Sequence, residues 1–108
     1  EIVPAREQGF FSYDAKYHGQ SEEICPGRFT GAESAEIQRL AKMVHDITGL
    51  RHYSRSDFIL SPRGIYFLEV NTLPGLTQES LIPKALKAIG SSLREFLDHV
   101  ISLAMKRR

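Results

Sequence analysis

Two apolar runs, Phe58-Ile59-Leu60 and Ile65-Tyr66-Phe67-Leu68, flank Ser61-Pro62-Arg63-Gly64. Polar residues are set into the ends away from the turn: Arg55, Ser56 and Asp57 before it, Glu69 and Asn71 after it. The pattern predicts two antiparallel strands. Serine first, proline second and glycine last are the preferences of a type I turn. A three-residue loop with Gly64 left-handed in a bulge then pairs Ser61 with Ile65, Ile59 with Phe67, Asp57 with Glu69 and Arg55 with Asn71. In that register Arg55, Asp57, Glu69 and Asn71 project from one face. Ser56, Phe58, Leu60, Tyr66, Leu68 and Val70 take the other. A slip of one residue mixes the charges with the apolar side chains, so segregation favours this register.

Helical spacing marks three further segments. Ile37, Leu40, Ala41, Val44 and Ile47 fall on one face, with Thr30 or Ser34 as the N-terminal cap and Gly49 as the left-handed stop. Lys42, His45 and Asp46 lie on the polar side, which makes His45 an exposed surface residue. Ile82 to Ile89 predicts a short helix, with Pro83 tolerated in its first turn and Gly90 at its end. Ser92-Leu93-Arg94-Glu95 matches a capping box and opens a last helix. Leu93, Phe96, Leu97, Val100, Ile101 and Ala104 form its buried stripe. Ile2-Val3 reads as a strand remnant, residues 10–19 carry no sustained period, and a polar tract, Gln20-Ser21-Glu22-Glu23, follows.

Composition adds bounds. With 108 residues the chain is one domain at most, and its apolar and charged fractions of 42% and 25% are those of an ordinary globular protein. A net charge of +1 supplies no field to recruit nucleic acid or a membrane surface. Lys106-Arg107-Arg108 reads as a solvated helix end. The one cysteine, Cys25, cannot form an internal disulfide, and no apolar run is long enough to span a bilayer. Glu1-Ile2-Val3-Pro4 looks like a strand already under way, which predicts that the sequence is a piece of a longer protein.

The charged hairpin face is the candidate site. Like charges opposite each other at Asp57 and Glu69 disfavour the sheet by up to about 1 kcal/mol. A divalent cation would offset this, and hard carboxylate and amide oxygens suit Mg²⁺. Asn71 adds a neutral oxygen, and Arg55 a permanent cation able to stabilise charge on a reacting oxygen. Spacing alone fits either this metal site or a solvated polar face with an Arg–carboxylate pair. Beyond the hairpin, Gly75 permits close backbone approach, Thr77 and Ser80 offer hydroxyls, and Ser80-Leu81 sits where a helix start attracts an anion or simply caps the helix.

Arg55-x-Asp57-Phe58, followed by Glu69-Val70-Asn71-Thr72-x-Pro74-Gly75-x-Thr77-x-x-Ser80-Leu81-x-Pro83-Lys84, resembles the C-terminal signature of D-alanine–D-alanine ligases, which are ATP-grasp enzymes. Tyr13-Asp14-Ala15-Lys16-Tyr17 and Cys25-Pro26 resemble the preceding part of the same region. The resemblance implies an α+β fold: the C-terminal lobe of an ATP-grasp domain, antiparallel strands packed with three helices in a truncated sheet. Residues 1–108 would be part of that domain, without the N-terminal domain and most of the central one.

The activity implied is ATP-dependent joining of two D-alanines through a D-alanyl phosphate, for peptidoglycan precursors. Asp57, Glu69 and Asn71 would hold two Mg²⁺ ions, or Mn²⁺, that bridge the phosphates of ATP. Arg55 and the Gly75 N–H would stabilise the tetrahedral oxyanion. Ser80 and Leu81 would hold the carboxylate of the second D-alanine. Lys16 would reach the γ-phosphate, and Tyr17 would shape the acceptor pocket. A cytoplasmic protein, homodimeric at full length, is implied, and residues 1–108 alone would not be competent. Ser56, Gly27 and the compact hairpin turn depart from the family pattern. Ligases making D-alanyl-D-lactate or D-alanyl-D-serine, and a non-catalytic α/β module, are the alternatives. The Lys16-Tyr17 pair favours D-alanine as acceptor, and joint retention of Arg55, Asp57, Glu69, Asn71, Gly75 and Ser80 speaks against a bare scaffold.

Overall fold

The computed structural model of the chain describes residues 1–3 and 22–106. In order they form β1 (Ile2–Val3), β2 (Glu22–Glu23), α1 (Gly31–Ile47), β3 (Arg55–Ser61), β4 (Gly64–Asn71), α2 (Leu81–Ala88) and α3 (Leu93–Lys106). The α+β class expected from the sequence holds. The strands make two separate antiparallel pairs, β1 with β2 and β3 with β4. The β1 partner was missed, because Glu22-Glu23 carries none of the β-branched or aromatic residues that signal a strand.

Helix α1 starts at a full capping box. The Glu33 N–H donates to Thr30 Oγ1 at 3.1 Å, and the Thr30 N–H donates to Glu33 Oε1 at 2.9 Å. Gly49, at φ 70°, turns the chain out of the helix. The helix packs on β3 and β4, and α2 packs on α3. At the start of α3 the Glu95 N–H donates to Ser92 Oγ at 3.1 Å.

The hairpin differs from expectation at its tip. Ser61 pairs with Gly64, Leu60 with Ile65, Ile59 with Tyr66 and Phe58 with Phe67. The loop is therefore the two residues Pro62 and Arg63, closed by the Arg63 N–H donating to Ser61 Oγ at 3.1 Å. A bulge at Leu68 then restores the expected pairs, Asp57 with Glu69 and Arg55 with Asn71. Aromatic packing is served by this arrangement. It seats Phe67 on the face of Phe58, ring edge to ring at 5.8 Å, instead of among the charges. Tyr66 moves to the opposite face, across from Ile59.

Burial is shallow. Among the described residues only Pro74 is buried. Ile47, on the apolar face of α1, is 76% exposed, and Leu97 and Ile101, expected on the buried stripe of α3, are exposed as well. Ile59, Tyr66, Phe67 and Leu68 leave apolar hairpin surface open on both faces, as expected for a truncated sheet. No described helix is long and apolar enough to cross a membrane.

Candidate functional site

The hairpin base brings four polar side chains together. Arg55 and Asn71 are cross-strand partners, as are Asp57 and Glu69. Partners in a ladder share a face, and residues two apart on one strand share it too. Arg55 lies along its strand toward Asp57, with Nε 2.9 Å from Oδ1 and the second nitrogen 3.2 Å from Oδ2. Both side chains are about three-quarters covered. This forked, charge-assisted pair holds a guanidinium in fixed orientation beside the acidic residues. Glu69 is exposed at the rim.

Asn71 ends β4 and begins the site loop. Its Oδ1 accepts the Leu73 N–H at 3.0 Å, a local turn that asparagine favours. Buried Pro74 follows, anchoring a loop whose other residues are mostly exposed. A Cβ on Gly75 would lie 2.9 Å from Ser80 Oγ, so only glycine lets the loop backbone approach Ser80 this closely. Ser80 Oγ accepts the Thr77 N–H at 3.1 Å and shares a hydrogen with Thr77 Oγ1 at 2.6 Å. Gly75, Thr77 and Ser80 thus form one cluster.

Ser80 occupies the N-cap of α2, yet its hydroxyl makes no capping hydrogen bond. A cap hydroxyl reaches the second or third N–H of its helix. Here the third residue is Pro83, which has none. The hydroxyl turns to Thr77 instead, and the first-turn N–H groups of Leu81 and Ile82 point out of the helix start without helical partners.

The candidate metal ligands are two carboxylates and one amide, all hard oxygens. Among the described residues no group of three His, Cys, Asp or Glu gathers at one place. Asp57 keeps acceptor capacity beyond Arg55, since a carboxylate has about four lone-pair sites. The donor set fits Mg²⁺ and is too small to close its shell. Lys16 and Tyr17 lie outside the described residues.

The family model for the D-ala D-ala ligase C-terminus matches residues 1–102. The chain belongs to this family. It is 46% identical over 99 residues to the D-alanine–D-alanine ligase of Oleidesulfovibrio alaskensis, an alignment covering 90% of this chain and 32% of that protein. The ligase of Syntrophobacter fumaroxidans is 42% identical over 107 residues, covering 98% and 34%. That of Leptospira interrogans is 44% identical over 108 residues, covering 99% and 30%. The chain spans about a third of the length of the curated ligases it matches. The α+β arrangement agrees with the C-terminal part of an ATP-grasp domain.

Three features of this ligase-family chain were not read from its sequence. His45 is half-buried, and its Nδ1 lies 2.7 Å from Ser54 Oγ, which corrects the expectation of a plain surface residue. His52 has φ 72°, and the Tyr53 N–H donates across it to the Arg51 carbonyl at 2.9 Å. That is a γ-turn of the rare, positive-φ kind. Lys84, of the ligase signature, pairs at 2.6 Å with Glu23 of β2 and ties the first sheet to α2. No sequence signal marks these contacts, since each joins residues across a turn or between distant elements.

Proposed function

We propose that this chain acts as the C-terminal part of an ATP-dependent ligase that joins two D-alanines through a D-alanyl phosphate. One observation carries the reading. In a chain of this family, Arg55, Asp57, Glu69 and Asn71 share the base of a hairpin that runs directly into the Gly75–Ser80 cluster. Acidic and amide oxygens for cations on ATP therefore adjoin donors for an acyl oxyanion and a carboxylate.

Asp57, Glu69 and Asn71 would hold Mg²⁺. Bound there, Mg²⁺ (two ions by family resemblance) would neutralise charge on the ATP phosphates. Arg55, oriented by its own grip on Asp57, places a cation where the tetrahedral oxyanion develops. The Gly75 N–H adds a second donor. Ser80 Oγ can swing its hydrogen from Thr77 Oγ1 to the carboxylate of the second D-alanine while still accepting the Thr77 N–H. The Leu81 N–H and the start of α2 stabilise the same carboxylate. By resemblance, Lys16 would meet the γ-phosphate and Tyr17 the acceptor. The dipeptide would serve peptidoglycan synthesis in the cytoplasm, from a homodimer.

The test is product analysis of the full-length protein with Mg-ATP and D-alanine, with D-lactate and D-serine as competing acceptors. D-alanyl-D-alanine and stoichiometric ADP are expected, and Glu69→Ala should abolish both. Unchanged turnover in Glu69→Ala would remove the metal assignment. Dipeptide synthesis by residues 1–108 alone would overturn the reading of this chain as one part of the enzyme.

A further inference from the structure

Three successive residues lead into Arg55, and each is held by a different device. His52 carries the γ-turn, with φ 72° and the Tyr53 N–H donating to the Arg51 carbonyl. Tyr53 packs edge-on against Phe96 of α3, with ring centroids 5.1 Å apart and planes at 83°. Ser54 Oγ lies 2.7 Å from Nδ1 of His45, near the last turn of α1. The residue that follows is Arg55, whose guanidinium spans both oxygens of Asp57. Nothing in the charged face itself requires any of these three contacts.

A rare turn conformation persists only where its surroundings over-determine it. Here those surroundings are two helices that meet the chain on consecutive residues. The His45–Ser54 hydrogen bond fixes the entry of β3 relative to α1. The Tyr53–Phe96 contact fixes it relative to α3. Ser54 is the residue immediately before β3, one peptide bond from Arg55. Holding Ser54 therefore sets the position of Arg55.

We infer that His45 is a positioning residue for Arg55, acting through its hydrogen bond to Ser54. The inference rests on the reading of Arg55 as the cation of the ligase reaction. It adds a residue that contacts neither substrate nor metal. Displacing a reacting group by about 1 Å can cost on the order of a hundredfold in rate. Loss of one tether among three should cost less, about tenfold in kcat, with KM for ATP within about twofold.

The experiment compares His45→Ala, His45→Asn, Ser54→Ala, the double alanine variant and Arg55→Ala in the full-length ligase. An asparagine amide occupies the place of the imidazole Nδ1, so His45→Asn should restore kcat. The two alanine variants should each lose kcat, and the double variant should lose no more than either one. A second readout is the ¹H–¹⁵N resonance of Arg55 Nε, whose proton faces Asp57. It should shift in His45→Ala and return in His45→Asn. Full kcat in both single variants, additive losses in the double variant, or an Arg55 resonance indifferent to His45 would each overturn the inference. Full kcat in Arg55→Ala, with the resonance still following His45, would sink the role given to Arg55 while leaving the coupling in place.

Discussion

Arg55 grips Asp57 from two positions away on the same strand, through two nitrogens at 2.9 and 3.2 Å. A lysine cannot reproduce that fork, because its ammonium is a single point of charge on a flexible stem. Arg55→Lys should therefore keep the charge and lose the geometry. The expected outcome is a kcat reduced by about a hundredfold, on the scale of losing one oxyanion donor, with KM for ATP little changed. Steady-state kinetics of the full-length ligase would check it.

Gly75 and Ser80 set a steric test. The added methyl of Gly75→Ala meets Ser80 Oγ at 2.9 Å, closer than real contacts of this kind. Either the loop shifts or Ser80 leaves Thr77. Both outcomes disturb the carboxylate site proposed at Ser80, so KM for the acceptor D-alanine should rise by about tenfold or more, equivalent to at least one hydrogen bond. Ser80→Ala should raise the same KM. Initial rates at varied D-alanine separate this effect from any change in ATP binding.

His52 holds a conformation that suits glycine better. His52→Gly keeps the γ-turn and should raise stability by about 1 kcal/mol through relief of strain. His52→Val, β-branched and hostile to positive φ, should lower stability by about 1–3 kcal/mol. Urea unfolding midpoints of the two variants should lie on opposite sides of the parent.

Ser56 Oγ is buried and finds no hydrogen-bond partner among the described residues. A buried hydroxyl left without a partner costs about 1–3 kcal/mol. Ser56→Val puts a methyl in place of the hydroxyl, adds a second methyl, and introduces a residue that prefers strands. The variant should gain about 1 kcal/mol and leave kcat unchanged, since Ser56 faces away from Asp57. Thermal unfolding and turnover measured together would show both.

The Glu1 carboxylate accepts from the Arg28 side chain at 2.8 and 3.1 Å and from its backbone N–H at 2.9 Å. The side-chain hydrogen bond from Arg28, followed by the backbone one, lowers the Glu1 pKa from 4.5 to about 2. A carboxyl depressed in the folded state stabilises it above the unfolded pKa. That contribution falls away as pH drops from about 4.5 toward 2. An NMR titration of the Glu1 carboxyl carbon should show a midpoint near 2, moving back toward 4.5 in Arg28→Ala.

The base of the hairpin was legible in the sequence, because segregating Arg55, Asp57, Glu69 and Asn71 from the apolar set leaves one sensible pairing there. The tip was not. Turn preferences at Ser61-Pro62-Arg63-Gly64 fit both a two- and a three-residue loop. The choice was made by Phe67, which needed the face of Phe58. Leu68, the residue that absorbs the difference, carries no mark of a bulge. Helix starts were readable from Thr30 and Ser92, whose hydroxyls have partners close in sequence. Leu97 and Ile101 misled, because helical spacing reports which face is apolar and not whether anything covers it. His45 and Ser54 meet only after the chain has left α1 and turned, so neither predicts the other.

The bulge at Leu68 divides the hairpin into two reading frames. Pairing at the tip is counted from Gly64, and pairing at the base from Asn71. A residue inserted between Pro62 and Arg63 lengthens the loop and lies outside both sets of pairs. The tip can therefore change in length and sequence while the order of Arg55, Asp57, Glu69 and Asn71 at the base stays the same. A tag or a fluorescent label spliced between Pro62 and Arg63 should be carried by a working enzyme.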